Sequence, residues 1–213
     1  MKPTPEECED FLKKVTVRIE TTISVCNRPL LGSGVFYKQT DFKDYVYVFT
    51  AKHCLYGNEY PEYTDEQIDR IVVSYKYNNL DEFKEFEAQE REKHPKYDLA
   101  VLKIPKVAIL DIYDDIPEVR LINEGYDHRS PYIGRGYPKV LDNIQAQNIE
   151  GSYNEYKGNN IFELKANDDY SDPRGKYAKD IMEGFSGSGI FIKDSYNILV
   201  GIAAGLKDPK SGV

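Results

Sequence analysis

Short segments in which apolar and polar residues alternate dominate this chain of 213 residues. Alternation with a period of two predicts β-strands, because successive side chains of a strand point to opposite faces of the sheet. Many short strands separated by turns are typical of barrels, so we expect an all-β fold of two packed barrels with about six strands each. The predicted strands are 15–20, 34–39, 45–51, 70–75, 83–89 and 98–104 in the first half, and 131–137, 143–150, 160–166, 188–192 and 197–205 in the second.

The beginning of the chain shows the clearest helical pattern. Residues 4–14 predict a short helix, with Thr4 as the N-cap, Pro5 in the first turn and Glu7 completing a capping box. A weaker pattern over 62–70 predicts one or two helical turns. Helices therefore contribute little to the expected architecture.

The middle of the chain predicts a division into two halves. The segment 104–119 contains prolines and has no regular period, so we expect it to connect the two barrels. The N-terminal barrel would span 1–110 and the C-terminal barrel 120–213, and the two would together form one domain.

Charge and cysteine content exclude several classes of protein. A net charge of -8 argues against nucleic acid or an anionic membrane as a direct partner. The first residues contain no apolar signal region, and no apolar run of about 18 residues predicts a membrane span. The three cysteines, Cys8, Cys26 and Cys54, predict reduced thiols and a cytoplasmic location. Their spacing does not suit zinc, and the acidic segment 167–180 lacks the spacing of a calcium loop, so we expect no metal and no cofactor.

The stretch MEGFSGSGIF at 182–191 predicts a tight turn around a serine. A serine hydroxyl becomes a nucleophile when a histidine base lies within hydrogen-bond reach and a carboxylate holds the imidazole in one tautomer. His53 follows the strand 45–51, and Asp98 begins the strand 98–104. A glycine turn also leaves backbone N–H groups free to stabilise an oxyanion.

Three motifs in this order resemble the chymotrypsin/trypsin-like serine peptidases, in their cytoplasmic bacterial form. TAKHC resembles the histidine box, YDLAVLKI the aspartate strand and GFSGSGIF the nucleophile loop of that family. The resemblance implies two antiparallel six-stranded Greek-key barrels that form one peptidase domain. It implies that His53 is the general base, that Asp98 orients it and that Ser186 is the nucleophile. The N–H groups of Gly184 and Ser186 would form the oxyanion hole.

The same resemblance implies a substrate pocket. Asp180 lies six residues before Ser186, where the trypsin branch has the acid at the base of the specificity pocket. Cleavage after Lys or Arg is the expected preference. The stretch GIAAG resembles the strand that lines the pocket and pairs with substrate, so Ala203, Ala204 and Gly205 are expected to bind substrate.

Several positions depart from the family pattern. Phe185 replaces the aspartate that pairs with a new N-terminus when a zymogen is activated, so that switch is not available. Cys54 matches a disulfide cysteine of the family, but Leu31 stands at the usual partner position and Cys26 lies five residues earlier. Ala204 stands where many relatives have a serine near the aspartate. The last barrel strand of the family is expected to be missing from this chain, which suggests that the natural polypeptide continues.

These departures leave several functions open. One is a regulated intracellular protease module of a larger protein or system, such as a stress or antiphage system, with a sensor or effector protein as partner. A second is a catalytically silent pseudoprotease that binds peptides. A third is an esterase that uses the same three residues. A protein or peptide substrate is expected in the first case, and His94 and His128 are expected to be surface residues.

Overall fold

A computed structural model describes residues 2–24, 29–38, 44–57, 67–77, 82–122, 130–138, 145–158, 161–167 and 184–204. The predicted N-terminal helix is confirmed as α1 (Pro5–Val15), with Thr4 as its N-cap. The Thr4 hydroxyl accepts from the Glu7 N–H, and the Glu7 carboxylate accepts from the Thr4 N–H, which completes the expected capping box. No helix in the described part of the chain is long and apolar enough to cross a lipid bilayer.

The described residues of the first half form one antiparallel sheet of seven strands. Its order is β5-β4-β1-β2-β3-β7-β6. The sequence predicted six strands: the predicted strand 83–89 corresponds to β5, and the charged segment 90–93, which forms β6, was not predicted. The strands are β1 (Thr16–Ile23), β2 (Leu30–Tyr37), β3 (Tyr45–Thr50), β4 (Ile68–Tyr75), β5 (Lys84–Glu87), β6 (Glu90–Lys93) and β7 (Ala100–Pro105).

The two edge strands of this sheet, β5 and β6, follow each other directly in the chain. The Ala88 N–H donates to the Ile71 carbonyl oxygen of β4 at 3.1 Å, and the Gln89 N–H donates to the Lys103 carbonyl oxygen of β7 at 3.2 Å. Strand β5 pairs with β4, whereas β6 pairs with β7. Residues 84–93 therefore supply both edge strands of the sheet order.

The described residues of the second half form a mixed sheet of six strands in the order β11-β10-β9-β12-β13-β8. All pairs are antiparallel except β8 with β13. Strand β8 was not predicted, because two exposed residues carry no periodic pattern. The strands are β8 (Arg120–Leu121), β9 (Tyr132–Gly136), β10 (Gln147–Gly158), β11 (Ile161–Ala166), β12 (Gly189–Ile192) and β13 (Ser195–Ile202).

The segment between the sheets is packed rather than extended. It begins with a short 3-10 helix (Lys106–Ile109) and continues through turns. Its buried side chains Ile109, Ile112 and Ile116 join the core of the first sheet. The Lys38 ammonium group donates to the carbonyl oxygens of Tyr113 at 2.7 Å and Ile116 at 2.9 Å, which fixes the end of the segment. Of the weakly predicted helix at 62–70, residues 68–70 belong to β4, and 62–66 lie outside the described residues.

Helix α1 packs against both sheets. Its buried face consists of Cys8, Phe11, Leu12 and Val15. These side chains form one apolar cluster with residues of the first sheet, such as Val35, and residues of the second, such as Ile133, Phe191 and Leu199. Burial of apolar surface contributes about 25 cal/mol per Å², so this shared cluster stabilises the contact between the two halves.

Candidate active site

His53 lies at the start of a short helix that follows β3. Helix α2 (His53–Tyr56) begins three residues after Thr50, the last residue of β3, and its C-cap is Gly57, whose φ is 74°. Leu55 is fully buried in the core of the first sheet and anchors this turn. The imidazole is consequently held just beyond the C-terminal end of β3 on a fixed backbone.

Asp98 contacts His53 through both carboxylate oxygens. Oδ1 accepts from the His53 backbone N–H at 2.9 Å, and Oδ2 lies 2.6 Å from His53 Nδ1. An ionised carboxylate only accepts hydrogen bonds, so Nδ1 carries a proton, and in the neutral imidazole Nε2 therefore presents its lone pair. The side chains are 16% and 34% exposed, respectively, so the pair is largely shielded from water.

The turn before Asp98 is held by His94. The His94 N–H donates to the Leu99 carbonyl oxygen at 2.8 Å. The ring atom Nδ1 of His94 accepts from the N–H groups of Lys96 at 3.1 Å and Tyr97 at 3.0 Å. The imidazole also stacks on Tyr97, with the ring centroids 4.6 Å apart. His94 is half-buried and supports the turn that presents Asp98, a role that the sequence did not indicate.

Burial and hydrogen bonding oppose each other at the His53–Asp98 pair. Burial of the imidazole acts to lower the pKa of His53, but the hydrogen bond with Asp98, together with the Cys54 side chain, outweighs it and raises that pKa above the usual 6.5. Burial acts to raise the pKa of Asp98, whereas the hydrogen bonds with His53 lower it below 3.8. The arrangement favours an ionised carboxylate beside an imidazole of increased basicity.

The glycine-rich loop around Ser186 makes a tight turn before β12. Gly184 has a φ of 90° and Gly187 a φ of 87°, a region that side chains with a Cβ rarely adopt. A Cβ on Gly187 would lie 2.0 Å from the Ser33 carbonyl oxygen. Phe185 is buried in an apolar cluster with Tyr132, Ile149 and Ile190. The loop therefore packs an apolar ring at the position where the family pattern has a charged aspartate.

Ser33 of β2 connects this loop to the first sheet. Its hydroxyl donates to the Gly184 carbonyl oxygen at 2.7 Å and accepts from the Tyr137 N–H at 2.8 Å. Its N–H donates to the Ser186 carbonyl oxygen at 2.8 Å, and its carbonyl oxygen accepts from the Thr50 hydroxyl at 2.7 Å. Ser33 is fully buried. The sequence did not predict this role of Ser33. The one feature that pointed to the residue is its position between Gly32 and Gly34.

The backbone of Ser186 lies against the helix that carries His53. The thiol of Cys54 donates to the Ser186 carbonyl oxygen at 3.3 Å. Cys8 and Cys54 are free thiols, as the cysteine count predicts. Among the described residues, no hydrogen bond joins the Ser186 hydroxyl to His53, and no backbone carbonyl accepts from the N–H groups of Gly184 or Ser186.

The remaining predicted site residues fall in two groups. Ala203 uses its backbone within the protein, because its N–H donates to the Ser188 carbonyl oxygen at 2.9 Å and its carbonyl oxygen accepts from the Gly187 N–H at 2.7 Å. Ala204 is exposed beside it, and its contact with substrate stays a prediction. The other residues named from the sequence lie outside the described residues: Asp180, Gly205, Cys26 and His128.

Solved structures show the same fold at low sequence identity. The protease Rv3671c from M. tuberculosis in its active form has a TM-score of 0.59 and 16% identity, over 97% of this chain and 78% of that one. The protease Anisep from Arthrobacter nicotinovorans has a TM-score of 0.63 and 16% identity, over 92% and 85% of the two chains. Deg5 has a TM-score of 0.61 and 17% identity, over 96% and 88%.

Of the two sequence comparisons, the one with family models agrees with this fold. No curated protein sequence matches the chain. The family model of the trypsin-like peptidase domain matches residues 32–202, which include β2, the His53–Asp98 pair, the glycine-rich loop and β13. The chain belongs to the trypsin-like peptidase domain family.

Proposed function

We propose that this protein is a serine endopeptidase that hydrolyses peptide bonds through an acyl-enzyme. The observation that carries the proposal is the 2.6 Å contact between His53 Nδ1 and Asp98 Oδ2. In the neutral imidazole this contact leaves the Nε2 lone pair available, which is the requirement for deprotonating a serine. The Cys54 thiol holds the backbone of Ser186 next to the same helix, which supports Ser186 as that serine.

In the proposed reaction the Ser186 hydroxyl oxygen attacks the carbonyl carbon of the scissile bond. His53 Nε2 takes the hydroxyl proton and then transfers it to the leaving amine, so that the carbon–nitrogen bond breaks and an ester to Ser186 remains. A water molecule, deprotonated by the same nitrogen, hydrolyses the ester and releases the carboxylic acid. Asp98 stays ionised and holds the imidazole in the required tautomer.

The N–H groups of Gly184 and Ser186 are proposed to stabilise the oxyanion of both tetrahedral intermediates. Their support is the positive φ of Gly184 and the hydrogen bonds from Ser33 to the carbonyl oxygens of both residues. Preorganised donors of this kind need no rearrangement during the reaction, and loss of one costs about 10²–10³-fold in kcat. The proposed preference for Lys or Arg on the N-terminal side of the scissile bond depends on Asp180.

Control by a sensor or effector protein is part of the proposal. Its support is Phe185, which is 4% exposed in an apolar cluster, so a new N-terminus has no carboxylate to pair with at that position. A protease without this zymogen switch needs another means of restraint in a cell. We therefore propose that the chain acts as the protease module of a larger protein or system.

A fluorophosphonate probe tests the chemistry directly. We expect the probe to label the wild-type protein and not the Ser186→Ala variant, and His53→Ala to slow labelling strongly. A peptide amide library should be cleaved, with a basic preference that is lost in Asp180→Ala. Absence of both labelling and cleavage would favour a pseudoprotease that binds peptides, and cleavage of esters alone would favour an esterase.

A further inference from the structure

The glycine-rich loop contains two serines, and the proposed mechanism uses only Ser186. The other serine, Ser188, is fully buried. Its backbone N–H donates to the Phe185 carbonyl oxygen at 3.1 Å, and its hydroxyl donates to the same oxygen at 2.5 Å. One residue thus supplies two hydrogen bonds to a single carbonyl oxygen, which fixes the position of that oxygen.

The Phe185 carbonyl oxygen belongs to the same peptide unit as the Ser186 N–H. A trans peptide unit is planar, with its C=O and N–H pointing in opposite directions, and no cis peptide bond occurs among the described residues. Because Ser188 holds the oxygen on the inner side of the loop, the Ser186 N–H points to the other side. No backbone carbonyl of the described residues accepts from that N–H, so it is available to a ligand.

The peptide unit on the other side of Ser186 is held at both ends. The Ser186 carbonyl oxygen accepts from the Ser33 N–H at 2.8 Å, and the Gly187 N–H donates to the Ala203 carbonyl oxygen at 2.7 Å. Ser186 therefore lies between two peptide units of fixed orientation. Of the two peptide units, only the one formed by the Phe185 carbonyl and the Ser186 N–H contains a proposed oxyanion donor, the Ser186 N–H.

Strand β9 packs closely against the Ser188 side chain. A Cβ on Gly136 of β9 would lie 2.1 Å from the Ser188 hydroxyl oxygen. Because Ser188 is also fully buried, its hydroxyl makes the hydrogen bond to the Phe185 carbonyl oxygen away from water.

We propose that Ser188 is a positioning residue that directs the Ser186 N–H toward the oxyanion. The proposal rests on the proposed peptidase function, because the oxyanion forms only in that reaction. Ser188 contacts no substrate in it and acts through the orientation of one peptide unit. Without the hydroxyl, the Phe185 carbonyl oxygen keeps one hydrogen bond and the peptide unit tilts more freely.

Three variants separate this role from a merely structural one. Ser188→Ala removes the hydroxyl, and Ser188→Cys keeps a side chain of similar shape with a much weaker donor. Ser74→Ala is the matched control, because Ser74 is equally buried but lies in β4 of the first sheet. The measurements are kcat and KM on a peptide amide, and the inhibition constant of a peptide aldehyde. The aldehyde forms a tetrahedral adduct with Ser186, and the adduct's oxygen occupies the proposed oxyanion hole.

We expect both Ser188 variants to lower kcat by roughly 10- to 100-fold, which is part of the loss caused by deleting an oxyanion donor. KM should stay within about twofold, the aldehyde should bind more weakly by a factor similar to that for kcat, and Ser74→Ala should behave as wild type. Wild-type kcat in Ser188→Cys, or a rise in KM without a fall in kcat in either variant, would overturn the proposal. If Ser188→Ala fails to fold, Ser188→Cys alone decides.

The same experiment distinguishes this proposal from the proposed function. A wild-type protein that neither reacts with the fluorophosphonate nor cleaves the peptide would overturn both. Normal labelling and cleavage by the wild type, with unchanged kcat in the Ser188 variants, would overturn only the role of Ser188.

Discussion

The hydroxyl of Ser33 donates a hydrogen bond to the carbonyl oxygen of Gly184 at 2.7 Å, across the boundary between the two sheets. The loop that carries Ser186 precedes a strand of the second sheet, yet a residue of the first sheet holds it in place. Within the described residues 184–189, the contacts that hold the loop are neutral hydrogen bonds and apolar packing. These contacts join the described part of the loop to both sheets.

Ser33→Ala should weaken both the fold and the proposed activity. The substitution leaves the Gly184 carbonyl oxygen and the Tyr137 N–H without their buried partner. A buried polar group without a hydrogen bond costs about 1–3 kcal/mol, so we expect the free energy of unfolding to fall by about 2–4 kcal/mol. Urea denaturation measures this change. A loss below about 0.5 kcal/mol, with unchanged kcat, would contradict the linking role of Ser33.

Thr21→Val should have the opposite effect on stability. The Thr21 hydroxyl is buried in β1 and has no hydrogen-bond partner in the described part of the chain. Valine has nearly the same shape and removes the cost of burying that hydroxyl, so we expect a gain of about 1 kcal/mol in the free energy of unfolding. The same urea experiment provides the measurement. A clear destabilisation would mean that the hydroxyl has a partner in the folded protein.

Gly187→Ala should disrupt the glycine-rich loop. The new Cβ would lie 2.0 Å from the Ser33 carbonyl oxygen and 2.4 Å from the Thr50 hydroxyl oxygen, and the φ of 87° is unfavourable for alanine. We expect loss of fluorophosphonate labelling and a lower melting temperature. Gly201→Ala is the matched control, because no atom lies within 4 Å of its added Cβ. Equal behaviour of the two variants would show that the loop is not packed as described.

Phe185→Asp should not create a working zymogen switch. The side chain is 4% exposed among Tyr132, Ile149 and Ile190, and the substitution would place a carboxylate there without a cation. An uncompensated buried charge costs about 3–5 kcal/mol, so we expect severe destabilisation. Phe185→Leu, which keeps the site apolar, should fold with a much smaller loss. Thermal denaturation followed by circular dichroism compares the two variants. A stable Phe185→Asp protein would contradict the apolar surroundings described for Phe185.

Asp98→Asn should shift the pH dependence of the residual activity toward lower pH. The base must be neutral to accept a proton, and contact with Asp98 raises the pKa of His53 above 6.5. Wild-type kcat/KM should therefore fall as pH decreases through that raised pKa. Without the carboxylate, only the Cys54 side chain opposes burial, which acts to lower the pKa of His53, so that pKa should fall. The acid limb of the pH profile of kcat/KM, measured on an activated ester, should therefore shift to lower pH. An acid limb at the same pH in the variant would indicate that a group other than His53 titrates there.

Local patterns predicted much of the fold, and contacts between distant residues account for the rest. Period-two alternation located β1 and β3, in which buried and more exposed residues alternate, and the capping residues located α1. Strands β9 and β12 are buried almost throughout and were located as short segments rich in apolar residues between turns. Strand β8 escaped prediction because its two residues form a strand only by pairing with β13.

The candidate site, too, was predicted only where local sequence patterns were sufficient. The motif around His53 predicted the residue that Asp98 contacts, although the two are 45 positions apart. The roles of Ser33 and Ser188 depend on where their hydroxyls lie in the folded protein. Ser33 meets Gly184 across a separation of 151 positions, and no composition or spacing rule encodes that contact.

The packing of α1 has a consequence for biosynthesis. The helix leaves the ribosome before every strand, yet its apolar face is covered only when Phe191 and Leu199 have also been synthesised. A nascent chain that lacks them exposes Phe11 and Leu12 to water and has no completed contact between its halves. The proposed peptidase activity is therefore expected only after the chain has been synthesised as far as Leu199.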